Sequence, residues 1–299
     1  MKKRILVLLL AGILCVIGTS YAEKGLSVAV SPDSVEASFA LQIAGLLDLP
    51  LLTAADDDVG NAANLMLADP ECVLFGSQDV LIAGLQGYTD KDLRVSMTPV
   101  CSLAVTPLFL VMDRNTAAGL GVTDFTSLRE YISSNEYELT FARHIDADPV
   151  DRAVTQLSNE LEVLTDYYTD EEISDVLHTG EAAAGVFSGA DLAVSNDDWL
   201  ILCCLSPERS SLYEDVPCSS EIGLNPCEGK LLCLFMSSEA TDEAVEAVAG
   251  AAALMKEETL PAGYMLRYSS GSEFLDTVNN LFADYKEYMT SEGLFFYEE

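Results

Sequence analysis

Short apolar runs alternate with stretches whose apolar residues recur at helical spacing along most of the chain, and this alternation confines the fold to one class. The runs at 26–30, 49–52, 73–75, 108–112, 138–141, 184–187, 199–205 and 231–236 have the length of buried strands. Between them, 35–47, 62–68, 79–85, 125–133, 150–163, 171–178 and 243–256 carry the spacing of helices. Asp148-Pro149 supplies an N-cap followed by Pro at the first helical position. Thr241 opens another helix, with Asp242 and Glu243 in its first turn. Strands separated by helices require crossover connections, which predicts an α/β architecture of mostly parallel sheets flanked by helices. Residues 273–289 form one long amphipathic helix, whose stripe of Phe274, Val278, Leu281, Phe282 and Tyr285 is a packing face. No repeat or low-complexity linker divides the chain. Two lobes would therefore be joined by ordered crossing segments, for which 105–112 and 231–236 are the candidates.

The first residues speak to compartment. Lys2, Lys3 and Arg4 precede an apolar stretch over 5–17, and Ser20-Tyr21-Ala22 places small residues at a cleavage site, so 1–22 reads as an export signal. The apolar stretch is shorter than the ~20 residues of a membrane span, and Leu14 before Cys15 argues against lipoprotein processing. The expected product is soluble and extracytoplasmic. Residues 23–299 hold all 49 acidic residues against twelve Lys and Arg, a net charge of about −37. Such a surface excludes nucleic acid as a partner and keeps the protein in solution. With 49% apolar residues, disorder is excluded as well.

Seven cysteines remain beyond the signal, without a CxxC pair, and most are expected to be small buried apolar residues. Cys203 and Cys204 are adjacent in a strand and must face opposite ways. Cys218 and Cys227 form the single local pair worth weighing as a disulfide.

Catalytic chemistry finds no support. The two histidines, His144 and His178, have no Ser or Cys in a nucleophile pattern, and His178 before Gly180 suits a helix end. GxSxG, HExxH and phosphate-cradling glycine loops are missing. Asp56-Asp57-Asp58 lacks the spacing of a calcium loop and reads as a solvated turn. No enzyme activity, metal or cofactor is expected. Ligand contacts are expected where strands end and helices begin, because helix starts offer unpaired amides and partial positive charge. The candidates are Ser31, Asp33 and Ser34 after the first strand; Gly76, Ser77 and Gln78 after the third; Arg143 and His144 before the helix capped by Asp148; and Ser188. Arg143 has a second reading as a surface partner of Asp146 or Asp148.

From residue 202 onward a longer pattern emerges. Leu202-Cys203-Cys204-Leu205-Ser206-Pro207-Glu208-Arg209, then Tyr213-Glu214-Asp215-Val216-Pro217-Cys218, then Glu221-Ile222-Gly223-Leu224 resembles the signature of TctC/Bug-type solute receptors. Met236-Ser237-Ser238-Glu239-Ala240-Thr241, Gly60-Asn61, Asp69-Pro70 and Ser96-Met97-Thr98-Pro99-Val100 fall in the family's order. The resemblance implies a two-lobed periplasmic-binding-protein (type II-like) fold, with 23–108 plus 236–299 as lobe 1 and 109–235 as lobe 2. It further implies capture of a small carboxylate in the cleft, delivery to the membrane subunits of a tripartite tricarboxylate transporter, and a monomer. It places Pro32, Asp33 and Ser34 in the first ligand loop, 142–147 in the second lobe's anion loop, and Tyr167 or Tyr168 at the family's tyrosine position. The loops depart from the family pattern. Asp33-Ser34 replace two glycines, and Arg143-His144-Ile145-Asp146 replace a small, glycine-rich stretch. These departures leave three ligands open: a neutral one, an amino-bearing one, or a carboxylate gripped by Arg143. They also motivate a second reading, a receptor-derived sensory or interaction protein that has lost transport.

Overall fold

A computed structural model describes residues 25–30, 35–53, 59–135, 139–145, 148–195, 198–256 and 259–294. The strands are β1 (Leu26–Ala29), β2 (Leu51–Thr53), β3 (Val73–Gly76), β4 (Met97–Thr106), β5 (Leu108–Asp113), β6 (Thr140–His144), β7 (Leu164–Tyr168), β8 (Gly185–Ser188), β9 (Trp199–Cys204), β10 (Lys230–Ser237) and β11 (Met265–Ser270). The helices are α1 (Val35–Leu47), α2 (Val59–Ala68), α3 (Asp79–Leu85), α4 (Leu93–Ser96), α5 (Arg114–Leu120), α6 (Phe125–Ser134), α7 (Pro149–Leu161), α8 (Asp170–Thr179), α9 (Gly189–Val194), α10 (Ser219–Ile222), α11 (Asp242–Ala252) and α12 (Gly271–Ser291).

Two sheets organise the chain. The larger runs β11-β4-β10-β3-β1-β2. In the other lobe, β8-β5-β9 and the pair β6-β7 are joined by a bridge between Phe141 and Ala184, with the Ala142 amide donating to the Ala184 carbonyl at 2.9 Å. β4 and β5 are one crossing strand interrupted at Pro107, whose ring removes a ladder donor where the chain leaves one sheet for the other. β10 lies wholly in the larger sheet, between β4 and β3, so the chain has already returned from the other lobe by Lys230.

The expected parallel pairing holds for β1 with β2, β1 with β3 and β6 with β7. Every pairing of β4, β5 and β10 is antiparallel. A chain that leaves the larger sheet along β4 and re-enters it along β10 lays these two strands side by side in opposite directions, which makes that sheet mixed. β10 enters the larger sheet at Lys230, opposite Thr106. Strands β4, β7 and β11 escape the apolar pattern. β4 contains Pro99 beside a register shift, and β7 and β11 are largely exposed, with polar residues at most positions.

Each lobe has apolar clusters on both faces of its sheet. Leu74, Met66, Phe235 and the stripe Phe274, Val278, Leu281, Phe282 and Tyr285 of α12 pack on one face of the larger sheet, as the spacing predicts. Phe39, Phe75 and Leu234 fill the opposite face. Cys203 and Cys204 enter separate clusters on the two faces of the other sheet. All seven cysteines of the described residues are free and buried, Cys218 and Cys227 included. His178 closes α8 ahead of Gly180 (φ +74°), stacks on Trp199 at 4.7 Å, and its Nδ1 lies 3.0 Å from Asp113.

Candidate interlobe ligand site

Charged groups from both lobes come within reach of one another around Lys230, at the start of β10: Asp79 after β3, Asp148 after β6 and Asp170 after β7. Gly76 ends β3 where a Cβ would sit 2.9 Å from Val80 Cγ2 and 3.0 Å from Ala29 Cβ, so only glycine lets β3 turn into α3 so tightly. Ser77 is buried and donates to Asp79 Oδ2 at 2.5 Å. Gln78 is committed to the start of β10: its Nε2 donates to the Gly229 carbonyl at 2.9 Å, and its Oε1 accepts from the Leu231 amide at 2.6 Å. Lys230, held between those two bonds, places its Nζ 3.3 Å from Asp79 Oδ2.

The facing wall comes from the other lobe. His144 Nδ1 lies 2.7 Å from Asp170 Oδ1 and 3.8 Å from Asp148 Oδ2. Asp148 caps α7, its Oδ1 accepting from the Asp151 amide at 2.6 Å. Ser188 caps α9 in a reciprocal arrangement with Asp191, and its hydroxyl donates to Asp191 Oδ2 at 2.6 Å. Behind Asp79, the Tyr264 hydroxyl donates to the buried Glu36 carboxylate at 2.5 Å.

The helix starts expected to present bare amides to a ligand thus carry carboxylates of their own: Glu36 in α1, Asp79 in α3, Asp148 at the cap of α7 and Asp191 in α9. Their charges are felt across the cleft. Asp79 chiefly, against the opposing effect of burial, raises the Lys230 ammonium above its ordinary pKa, with Glu36 and Asp148 contributing. Burial opposes the His144 imidazolium, yet the hydrogen bond to Asp170 and the charges of Asp148 and Asp170 leave its pKa raised. Burial pushes Asp148 up to about 7, because His144 and Lys230 offset it only in part. Burial and the neighbouring Glu36 hold Tyr264 protonated. Asp79 Oδ1 and His144 Nε2 are buried without a hydrogen-bond partner.

Other sequence candidates have different surroundings. Ser31, Asp33 and Ser34, with Pro32, lie outside the described residues, as do Asp56 to Asp58, Asp146 and the proposed signal 1–22. Arg143 is buried and engaged at every nitrogen by protein groups. It makes a two-point pair with Asp151 (2.7 and 2.9 Å), and its Nη1 reaches Glu292 Oε2 at 2.9 Å. Of the two expected partners, Asp146 lies outside the described residues, and in place of Asp148 the guanidinium takes Asp151, in the first turn of α7. Tyr167 is exposed and lies under the Arg143 guanidinium at 4.6 Å, whereas Tyr168 reaches Glu181 at 3.4 Å. Arg143 and His144 are consecutive in β6 and point to opposite faces, so one strand serves both the cleft wall and the structure behind it. Sequence reasoning missed Lys230, Asp79, Glu36, Asp170 and Tyr264. A lone lysine opening an apolar strand, among only twelve basic residues beyond the signal, was the available signal for the first of them.

Two sheets joined by a crossing strand, with charged groups of both lobes within reach of one another, define the two-lobed periplasmic-binding-protein fold. The chain is similar to a TctC solute-binding protein from Polaromonas (TM-score 0.70, 15% identity, 89% of this chain and 97% of that one). It is likewise similar to a Rhodopseudomonas palustris protein with adipate (TM-score 0.69, 15% identity, 91% and 97%) and to MatC from R. palustris with bound malate (TM-score 0.64, 16% identity, 89% and 98%). At these identities the likeness is one of fold. No family model and no curated protein matches the sequence. No group of His, Cys, Asp and Glu suited to a metal ion occurs among the described residues, and no helix there is long and apolar enough to cross a membrane.

Proposed function

We propose that this protein is an extracytoplasmic solute receptor that captures a small organic acid, or a related metabolite, between its lobes and delivers it to a tripartite tricarboxylate-type membrane transporter. The observation that carries the reading is the ring of polar groups at the cleft: Lys230 with Asp79 from one lobe, His144 with Asp148 and Asp170 from the other. Similarly folded proteins, one with bound malate and one with adipate, support a carboxylate as one end of the ligand. Lys230 and His144 are the groups suited to meet it. The carboxylates outnumber those two cations, so a ligand that also bears an amino group fits better than a plain dicarboxylic acid. An ammonium between Asp148 and Asp79 would relieve the charge that burial disfavours. Closure of the lobes on such a ligand would present the surface that the membrane subunits recognise.

Melting curves of the purified protein against malate, adipate and a panel of amino acids test this. Ligand at ~100 times its dissociation constant adds ~2.7 kcal/mol of stability, and the largest rise in melting temperature is expected from an amino acid. A rise confined to dicarboxylates would overturn the amino-bearing assignment. No rise with any compound would favour the sensory or interaction reading. Delivery is tested by uptake of the identified ligand in cells with and without the gene.

A further inference from the structure

The last turns of α12 do something its apolar stripe does not require. Phe274, Val278 and Leu281 bury the first half of the helix against the larger sheet. Beyond them, the helix meets the other lobe through a row of polar contacts. Asp284 Oδ2 accepts from Arg152 Nη2 of α7 at 3.0 Å, and the same guanidinium lies over the Tyr285 ring at 5.4 Å. The Tyr288 hydroxyl donates to the buried Asp151 carboxylate, and Glu292 accepts from Arg143 Nη1 at 2.9 Å. Arg143 and Asp151 are 5% and 2% exposed. Charged groups so enclosed hold a defined geometry, because each would be left unpaired if the others moved away.

We propose that the C-terminal turns of α12 are a strap that sets the separation of the lobes. A helix of 21 residues spans about 31 Å and behaves as a rigid bar. Rotation of the lobes must therefore break the Arg143–Glu292 and Tyr288–Asp151 contacts or tear the stripe from its sheet, and the polar contacts are the weaker attachment. The strap also reaches the ligand wall. Arg143 immediately precedes His144 in β6, and Asp151 donates its amide to Asp148, so the clamped corner is the one that carries both cleft residues. The strap is tested without any ligand, so its failure would leave the receptor reading standing.

The test uses Glu292→Gln and Tyr288→Phe, singly and together, in the full chain, since both keep the shape of the side chain. Small-angle X-ray scattering reads the separation of the lobes, and amide hydrogen exchange reads opening at the β6–α7 corner. The expected result is a changed radius of gyration for the double variant, with exchange about tenfold faster both in the last turns of α12 and at 148–152. That factor corresponds to about 1.4 kcal/mol of lost attachment. An unchanged radius, or acceleration confined to the end of α12, would show a helix end that merely packs, and would overturn the proposal. Should the double variant fail to melt cooperatively, Tyr288→Phe alone, which leaves its ring in the core, is read by the same two criteria.

Discussion

Replacing Asp148 by Asn should raise stability at alkaline pH and leave it nearly unchanged in acid. The Asp148 carboxyl stands at about 7 because burial disfavours its charge more than His144 and Lys230 support it. A carboxyl whose pKa is higher folded than unfolded keeps a proton in the native state that the unfolded chain has released. Stability is then complete below the ordinary value of 3.8 and falls as pH rises toward 7. Each pH step of one within that window costs at most about 1.36 kcal/mol. The side chain retains 29% exposure, and solvent takes up part of that cost. Between pH 5 and pH 8.5 a loss of about 1–2 kcal/mol is expected from this residue. His144 adds to it in the same direction: its raised pKa contributes stability that is present below about 6.5 and lost as pH rises through the higher folded value. The asparagine of the Asp148→Asn variant still accepts the Asp151 amide, so the cap of α7 survives while the buried charge is gone. Urea titrations of both proteins at pH 5 and pH 8.5 give the difference directly. The gain of the variant over the natural protein should be larger at pH 8.5 than at pH 5 by about 1–2 kcal/mol. A difference that is the same at both pH values would refute the argument from burial.

Two further outcomes follow from the cleft and the core. Gln78→Ala removes both bonds between the β3–α3 turn and the start of β10. Leaving the Gly229 carbonyl and the Leu231 amide buried without partners should cost roughly 1–3 kcal/mol, read as a lower urea midpoint. The buried thiols, with Cys72 pushed up to about 11 and Cys101 and Cys227 to about 12 by burial, should resist a thiol-disulfide reagent at pH 8 in the native protein and react once it is unfolded; rapid labelling of folded protein would contradict the packing described for them.

The burial of one carboxylate bears on how the ligand is read. In a cleft whose helix starts were free, a dicarboxylic acid would find amides and dipoles waiting for it. Here Asp148, Asp191 and Ser77 already satisfy amides at those starts. On the proposed reading, a ligand would offer positive charge and donors in return, with Lys230 and His144 meeting its acidic end. The amino-bearing assignment and the Asp148 prediction share this cause, although one needs a ligand and the other does not.

Much of this protein could be read along the chain. Apolar periodicity identified α1, α3, α6 and the stripe of α12, because a residue facing a core at every third or fourth position leaves a local trace. Consecutive placement in one strand was enough to send Cys203 and Cys204 to opposite faces. What distance along the chain hides was decided by the tertiary structure alone. Strand direction in β4, β5 and β10 depends on the route between lobes, and exposed β7 and β11 carry no apolar alternation to reveal them. The pairing of Lys230 with Asp79 joins positions 151 residues apart, and that of Arg143 with Glu292 joins positions 149 apart. In a chain with 49 acidic residues, nothing local tells which carboxylate a given cation will meet. Electrostatic partnership is a matter of distance and burial in space, and only the packing of two lobes against one helix supplies either.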